Sequence, residues 1–379
     1  MKTSLSKWTP ETGWITAGLP PENPRLILYF GDPKALSSDH PPVLDWIHRY
    51  PDATVCGCST AGEILGAQAC DHSVAAALIG FDSTEILAAS EPIAESDNSL
   101  DVGLRLARQL NRPGLRHILL ISDGLHINGT TLVDGIRQIV GSDIPVSGGL
   151  AGDGDRFQST LVGIGHTIRP RQVVGIGLFG QNLHTSCGSR GGWHPFGPHR
   201  LITKSSGNTL YELDGRPALA LYKRYLGEMA DNLPATGLLF PLGITNDPSD
   251  NQVIVRTILA VDETTQSLTF AGDIPQGACA RLMKASSDEL IAGAANAADD
   301  ARQSSPSHPS LAILVSCVGR RLVLGQRTDE ELETVRDQLP PDTPVIGFYS
   351  YGETCPAIST GISELHNQTM TITLLGESP

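Results

Sequence analysis

The sequence has few basic side chains relative to acidic ones, and this shortage restricts the partners it can have. Its 379 residues include 27 Lys and Arg against 41 Asp and Glu, which gives a formal net charge of -14. The basic residues form no cluster longer than pairs such as Arg320 and Arg321. Because an acidic surface repels phosphate backbones and anionic lipids, the composition argues against nucleic-acid binding.

The chain also lacks long apolar runs, a secretion signal and closely paired cysteines. Apolar stretches such as residues 311–315 are far shorter than the roughly 20 residues that span a bilayer. Residues 1–10 contain no apolar run typical of a signal peptide, so we expect a cytoplasmic protein without membrane insertion. None of the seven cysteines has CxxC or zinc-knuckle spacing, which favours buried, reduced thiols over a metal site.

The length of the chain exceeds what one hydrophobic core usually serves and therefore predicts two domains. Residues 182–198 are dense in glycine and proline without apolar periodicity. We place the boundary there, with an N-terminal domain at residues 1–190 and a C-terminal domain at residues 191–379.

A unit of strand, helix, strand and glycine-acid pair recurs three times, within residues 25–81, 117–179 and 311–375. The pairs are Gly62-Glu63, Gly152-Asp153 and Gly352-Glu353. The sequence thus predicts an α/β fold of two domains, with mixed β-sheets flanked by helices and two copies of the unit in the N-terminal domain. The third copy lies in the C-terminal domain, together with an inserted hairpin and helices.

The inserted region between the second and third copies has its own signals. Residues 201–213 predict a hairpin around the turn at residues 206–208, and residues 217–226 predict a helix. Residues 253–261 and 267–271 predict a pair of strands, and residues 281–302 predict one long helix or two short ones.

With these segments identified, the chain resembles the FIST family of bacterial signal-transduction proteins, which pairs a FIST N with a FIST C domain. The resemblance spans nearly the whole chain and is carried by residues 57–63, 147–153, 208–219, 347–355 and 365–371. It implies a sensory module that binds small ligands such as amino acids. One branch of the family binds haem, responds to nitric oxide and controls a partner histidine kinase that feeds into cyclic-di-GMP output.

We call the three glycine-acid pairs the first, second and third corners, in chain order. We predict ligand-binding residues at these corners, because a glycine after a strand allows close backbone approach and the acid can accept loop hydrogen bonds. The third copy adds hydroxyl, amide and imidazole groups suited to a polar metabolite. Structural turns and a core aromatic pair are the alternative interpretation. The predicted residues are Ser59, Thr60, Glu63, Gly149, Asp153, Tyr349, Tyr351, Glu353, His366 and Asn367.

A haem site would need an axial donor within an apolar pocket. His184 and His194 lie in the predicted interdomain segment, and His166 follows a strand, so these three are the predicted haem ligands. Surface or capping histidines are the alternative.

The function predicted from the sequence is that of a non-enzymatic sensory protein that binds a small ligand, either haem or an amino-acid-like metabolite, and signals to a partner such as a histidine kinase. An enzyme with a cysteine nucleophile at Cys58 or Cys355 is the alternative. Both cysteines lie in the family motifs, and the turn that contains Cys58 lacks the G-x-S-x-G pattern.

Overall fold

The computed structural model describes residues 1–95, 97–246, 253–303 and 309–378. Strands of the first half are β1 (Lys2–Thr9), β2 (Gly13–Ala17), β3 (Leu26–Gly31), β4 (Thr54–Ser59), β5 (Glu63–Leu65), β6 (Gln68–Cys70), β7 (Val74–Gly80), β8 (Glu85–Pro92), β9 (Leu115–Ser122), β10 (Val146–Leu150), β11 (Val162–Ile164), β12 (Thr167–Arg169), β13 (Gln172–Phe179) and β14 (Leu183–Arg190).

The later strands are β15 (His194–Ser206), β16 (Thr209–Leu213), β17 (Arg216–Pro217), β18 (Leu242–Thr245), β19 (Ile254–Arg256), β20 (Ile258–Asp262), β21 (Ser267–Phe270), β22 (Cys279–Lys284), β23 (Leu311–Cys317), β24 (Val345–Ser350), β25 (Gly352–Pro356), β26 (Ser363–His366) and β27 (Met370–Glu377). The α-helices are α1 (Pro33–Leu36), α2 (Leu44–Arg49), α3 (Ser99–Leu110), α4 (Gly129–Val140), α5 (Ala218–Leu226), α6 (Ser287–Gln303), α7 (Val318–Leu324) and α8 (Thr328–Gln338). The predicted α/β class with mixed sheets is confirmed.

Three of the sheets have the same arrangement, in which a hairpin, a parallel pair, a returning strand and an edge strand follow one another across the sheet, and sheet 1 has one further strand, β2. Sheet 1 has the order β12-β11-β4-β3-β7-β1-β2, sheet 2 the order β26-β25-β10-β9-β13-β8, and sheet 3 the order β6-β5-β24-β23-β27-β14. The central pairs β3/β4, β9/β10 and β23/β24 are parallel, and β7, β13 or β27 then returns antiparallel beside the first strand of its pair. A helix links each parallel pair, as the crossover requires. That the three units are copies of one repeat stays a prediction.

Each of these sheets is completed by a hairpin from another unit. The hairpin β5/β6 follows β4 in the chain but pairs with β24 of sheet 3. Likewise β11/β12 pairs with β4 of sheet 1, and β25/β26 pairs with β10 of sheet 2. The three units are thus interlocked in a cycle. Strands from both sides of the predicted boundary between residues 190 and 191 share sheets 2 and 3, while that division itself stays a prediction.

The inner faces of the three sheets pack together in one apolar cluster. In β3, Leu28 and Phe30 belong to this cluster, whereas Tyr29 faces the outer layer, as the two-residue period of a strand requires. Phe30 of sheet 1 stacks on Phe348 of sheet 3 with their ring centroids 4.6 Å apart. Both faces of these strands are covered, which explains why their sequences are almost continuously apolar.

Helices cover the outer faces of the three sheets. Trp46 of α2 packs on sheet 1, and residues of α3, α4, α6 and α8 contribute to the outer cluster with sheets 2 and 3. The side chain of Asn128 caps α4 by accepting from Thr130 N at 3.1 Å, which satisfies one free amide of the first turn. Among the described residues, the helices are too short or too polar to cross a membrane.

The inserted region forms sheet 4, with the order β19-β18-β22-β15-β16-β21-β20 and β17 beside β16. The predicted hairpin at residues 201–213 and the helix ending at residue 226 are confirmed. The prediction of helix from residue 281 was wrong at its start. Arg281 lies in β22, because Ala280 and Leu282 are buried in the core of sheet 4, and α6 begins only at Ser287.

Residues 182–198, which lack apolar periodicity in the sequence, nevertheless lie mainly in regular strands. Most of them belong to β14 and β15, and Leu183 on β14 is buried in the inner cluster. Sheet pairing with β27 and β22 stabilises these strands despite their glycine and proline content.

Candidate functional site

The three glycine-acid corners meet where the units interlock. Each corner is linked by a backbone hydrogen bond to the strand end of another unit, from Tyr349 N to Gly62 O (2.8 Å), Gly152 N to Ser59 O (3.0 Å) and Tyr351 N to Leu150 O (3.2 Å). Gly62 has a φ of 125°, which a side chain would strain. A Cβ on Gly152 would lie 2.9 Å from Ala61 N, so this glycine permits close approach of two backbones.

The carboxylate of Glu63 points into the protein at the first corner. It accepts hydrogen bonds from the hydroxyls of Thr60 at 2.7 Å and Ser73 at 2.6 Å, and its side chain is buried. Burial disfavours the charged form more than the two hydroxyls favour it, and it raises the pKa of Glu63 to about 7.

Glu353 has the matching arrangement at the third corner. It accepts from Ser350 at 2.6 Å and from Thr369 at 3.0 Å, and burial raises the pKa of Glu353 to about 8. Thr369 and its counterpart Ser73 both lie immediately before the strand that returns to the parallel pair. The acid at these two corners therefore ties the corner to the start of β7 or β27.

The second corner differs because its acid organises a loop. Asp153 accepts from the hydroxyl of Tyr351 and from the amides of Phe157, Gln158 and Ser159, with the three amide distances at 2.9 to 3.0 Å. The ring of Phe157 stacks on Tyr351 with centroids 4.5 Å apart. Asp153 and Tyr351, both predicted ligand residues, are thus brought together as a buried pair.

The remaining predicted ligand residues are also bonded within the protein. Ser59 donates to Gly152 O at 2.8 Å and accepts from Leu161 N at 2.9 Å. The Tyr349 hydroxyl lies 3.4 Å from Glu331. His366, opposite Glu353 in the β25/β26 register, lies with Nε2 3.0 Å from Cys355 O, and Asn367 Oδ1 accepts from Thr257 N at 3.4 Å.

An open cleft of about 460 Å³ lies beside the corners. The first unit (residues 25–81) contributes residues next to Gly62 and on β6, and the second unit (residues 117–179) contributes the loop after Asp153. The third unit (residues 311–375) contributes α7, the turn after it and the start of α8. The lining residues are Ala61, Ala69, Gly154, Asp155, Val318, Arg321, Leu322, Gly325, Gln326, Thr328 and Asp329. None of the ten predicted ligand-binding residues belongs to this lining.

Arg321 is the cationic side chain of the cleft. Its guanidinium donates to Ala61 O at 2.7 Å and to both carboxylate oxygens of Asp71 at 2.9 and 2.6 Å, and it lies 5.2 Å from the centre of the Tyr349 ring. The hydrogen bonds from Arg321 lower the pKa of Asp71. A Cβ on Gly62 would lie 2.1 Å from the guanidinium, so the first-corner glycine makes room for Arg321.

Residues 25–216 match the FIST N domain and residues 218–356 match the FIST C domain. The chain belongs to the FIST family. FIST domains have a sensory signalling role in which they bind small ligands, and the chain shares that role.

Two relatives of this FIST protein are named as uncharacterized proteins. It is 25% identical over 343 residues to the uncharacterized protein Rv0628c of Mycobacterium tuberculosis, covering 85% of this chain and 83% of the relative. It is also 25% identical over 265 residues to the uncharacterized protein MJ1623 of Methanocaldococcus jannaschii, covering 61% of this chain and 49% of the relative.

The two cysteines of the enzyme hypothesis lie inside the FIST protein and away from its cleft. Cys58 belongs to the inner apolar cluster, and burial raises the pKa of its thiol. The pKa of the buried Cys355 is raised by a hydrogen bond with Cys187 and by burial. Both environments disfavour the thiolate that acts as a nucleophile, and so they give the enzyme hypothesis no support.

The three predicted haem ligands lie in three separate settings. His184 Nε2 is 2.5 Å from Ser378 Oγ, the exposed His194 Nε2 is 3.2 Å from Glu289 Oε1, and the ring of His166 lies 6.1 Å from that of His48. None of them lines the cleft beside the corners. Their surroundings do not fit an enclosed apolar haem pocket, and haem binding stays a prediction from the family resemblance.

Within the described ranges, no group of three or more His, Cys, Asp or Glu is placed to hold a metal ion. Sequence reasoning did not predict the residues of the cleft, of which Arg321 is the most important. The sequence did contain a signal for Arg321, because ligands of α/β proteins bind beyond the carboxyl ends of parallel strands, and Arg321 lies four residues after β23.

Proposed function

We propose that this FIST protein is a non-enzymatic sensor that binds a small zwitterionic metabolite of the α-amino-acid type in the cleft beside the corners. The observation that carries the proposal is the lining of that cleft, which combines one guanidinium, from Arg321, with the carboxylates of Asp155 and Asp329. Its volume of about 460 Å³ falls in the usual range for small-molecule sites.

The charges of the lining match both ends of an amino acid. A guanidinium binds a carboxylate through two parallel hydrogen bonds, and a carboxylate side chain accepts from an ammonium group. Arg321 already forms such a pair with Asp71, whose side chain is 56% exposed. Because solvent reaches the Asp71 carboxylate and screens its attraction to Arg321, a ligand carboxylate can take its place.

The position of the cleft explains how binding would be transmitted. Its walls come from all three interlocked units, with Ala69 on β6, Asp155 after the second corner and Thr328 at the start of α8. A ligand that contacts all three favours the arrangement in which they are closest, and this shift of population is available to a partner protein. A sensor histidine kinase is the partner proposed from the family resemblance.

Calorimetric titration of the full chain with single α-amino acids, their amides and their decarboxylated amines tests the proposal. We expect saturable binding of at least one free amino acid, and loss of that binding in Arg321→Ala and Asp155→Asn. The matched controls are Arg108→Ala and Asp143→Asn, which change exposed residues outside the cleft and should bind as the unaltered protein does.

Recovery of the bound amino acid unchanged after prolonged incubation supports a sensor, because an enzyme would convert it. Equal binding by Arg321→Ala and the unaltered protein, or no binding of any zwitterion, contradicts the proposed site.

A further inference from the structure

Two cysteines face each other across the interface between sheets 2 and 3. Cys187 lies on β14 of sheet 3, and Cys355 lies on the hairpin strand β25 of sheet 2. The thiol of Cys355 donates to Gly188 O, the carbonyl of the residue after Cys187, at 3.8 Å, and the two thiols are near enough to shift each other's pKa. Two thiols from different sheets are therefore neighbours although 168 positions separate them in sequence.

A second cavity reaches Cys187 from outside. Its volume is about 350 Å³, and its lining includes Cys187 and also Pro356, the residue after Cys355. Cys187 is partly exposed, whereas Cys355 is fully buried. A small reagent therefore meets the thiol of Cys187 first.

Hydroxyl groups extend from Cys187 into the protein. Its thiol lies 3.9 Å from Thr373 Oγ1, which donates to Ser147 Oγ at 2.8 Å, and Ser147 in turn lies 2.8 Å from Nε2 of His117. The neighbouring thiol of Cys355 lowers the pKa of Cys187, and the hydroxyls of Thr373 and Ser147 lower it further. Together these influences outweigh burial, which raises the pKa. The pKa of Cys355 is raised.

We propose that Cys187 and Cys355 are a redox modification site, at which a hydroperoxide oxidises Cys187 and Cys355 then closes a reversible disulfide between sheets 2 and 3. Cys187 attacks first, because it is the accessible thiol and the better thiolate, and Cys355 resolves the product.

The two steps balance as follows. The sulfur of Cys187 attacks the terminal oxygen of a hydroperoxide, the O–O bond breaks, and a sulfenic acid and one molecule of water or alcohol form. The sulfur of Cys355 then attacks the sulfenic sulfur, the S–O bond breaks, and water leaves as the disulfide forms. The peroxide has accepted two electrons from the two cysteines. A dithiol reductant supplies two electrons to the disulfide by thiol-disulfide exchange and so restores both thiols.

The cross-link would act on the corner region. Cys355 lies two residues after Glu353, on the strand that begins at the third corner, and Cys187 lies on the edge strand of sheet 3. A covalent bond here fixes the hairpin β25/β26 against β14. We expect the oxidised chain to unfold at a higher temperature than the reduced chain, because the bond closes a long loop of the unfolded state.

Treatment of the purified, reduced full chain with one equivalent of hydrogen peroxide tests the proposal, followed by alkylation and peptide mass spectrometry. We expect a linked peptide pair containing Cys187 and Cys355, two fewer of the seven thiols open to alkylation after denaturation, and full recovery of both on adding dithiothreitol. Cys279→Ser removes another partly exposed thiol and should form the same link.

Variants at the two positions separate the steps. In Cys355→Ser, we expect Cys187 to stop at the sulfenic acid and to be captured by dimedone, whereas Cys187→Ser should leave Cys355 reduced. Thermal unfolding curves of both variants verify that they fold. Overoxidation of Cys187 without a link in the unaltered chain, or oxidation of Cys279 at the same rate as Cys187, would overturn the proposal.

Discussion

The hydroxyl of Ser59, at the end of β4, donates to the carbonyl of Gly152 in the second corner at 2.8 Å. The same oxygen accepts from Leu161 N at 2.9 Å, and Gly152 N donates back to Ser59 O at 3.0 Å. One buried serine thus joins two strand ends of different units and the residue before the exchanged strand β11. Because both hydrogen-bonding functions of its hydroxyl are used internally, we infer that Ser59 holds the units together.

Ser59→Ala should therefore destabilise the protein without removing ligand binding. The substitution leaves a buried amide and a buried carbonyl without this partner, which costs about 1–3 kcal/mol. Urea unfolding followed by circular dichroism measures the loss, with the exposed Ser142→Ala as the control. Unchanged stability together with lost binding would show that Ser59 contacts the ligand instead.

Glu63 should make the stability of the protein fall as the pH rises. The pKa of Glu63 in the folded chain is about 7, against an ordinary value of 4.5. Between these values the unfolded chain has lost the proton that the folded chain keeps, so raising the pH favours unfolding, and the loss is complete above about pH 7. The difference corresponds to a change on the order of 3 kcal/mol.

Glu63→Gln tests this pH dependence, because the amide cannot ionise while the hydroxyls of Thr60 and Ser73 can still donate and accept. Denaturant unfolding across the same pH range should give a flatter profile for this variant than for the unaltered protein. The exposed Glu85→Gln should keep the original profile. A profile unchanged by Glu63→Gln would assign the dependence to another group, of which Glu353 is the first to test.

The sequence predicted the corners but not which side of them faces solvent. Glycine followed by an acid at three equivalent places marks strand ends, and the structure brings those ends together. Local sequence does not show that Glu63 points toward Ser73, ten residues ahead, or that Tyr351 covers Asp153 from another unit. The exchange of hairpins places these partners, and it depends on pairings across most of the chain.

The cleft was missed for the same reason. Its lining combines small residues such as Ala61 and Gly154 with Arg321, from three distant parts of the sequence. Fold class, the inserted hairpin and the buried thiols were accessible because they follow from periodicity, turn residues and cysteine spacing. In contrast, Arg281 was assigned to a helix because its neighbours are helix formers, whereas packing within sheet 4 determines the strand.

The predicted haem ligands can be tested by absorption spectroscopy. Because His184, His194 and His166 lie in separate settings, we expect no Soret band that depends on any of them after titration with hemin. Alanine variants at the three positions are compared with the unaltered protein under the same conditions. A band that disappears in one variant would instead assign the axial ligand and favour the haem-binding branch.

Gly149 is the predicted ligand residue for which structure and sequence give opposite expectations. A Cβ at this position would lie 2.7 Å from Val315 Cγ1 and 2.9 Å from Gly352 O, because β10 packs closely against both β23 and the third corner. Gly149→Ala should therefore destabilise the protein by about 1–3 kcal/mol through overpacking, and the folded fraction should bind ligand normally. Gly191→Ala is the control, since its Cβ would find its nearest neighbour at 3.5 Å. Thermal unfolding with and without the bound amino acid separates the two effects, and a normal melting temperature with a lost ligand-induced shift would place the ligand at the corner itself.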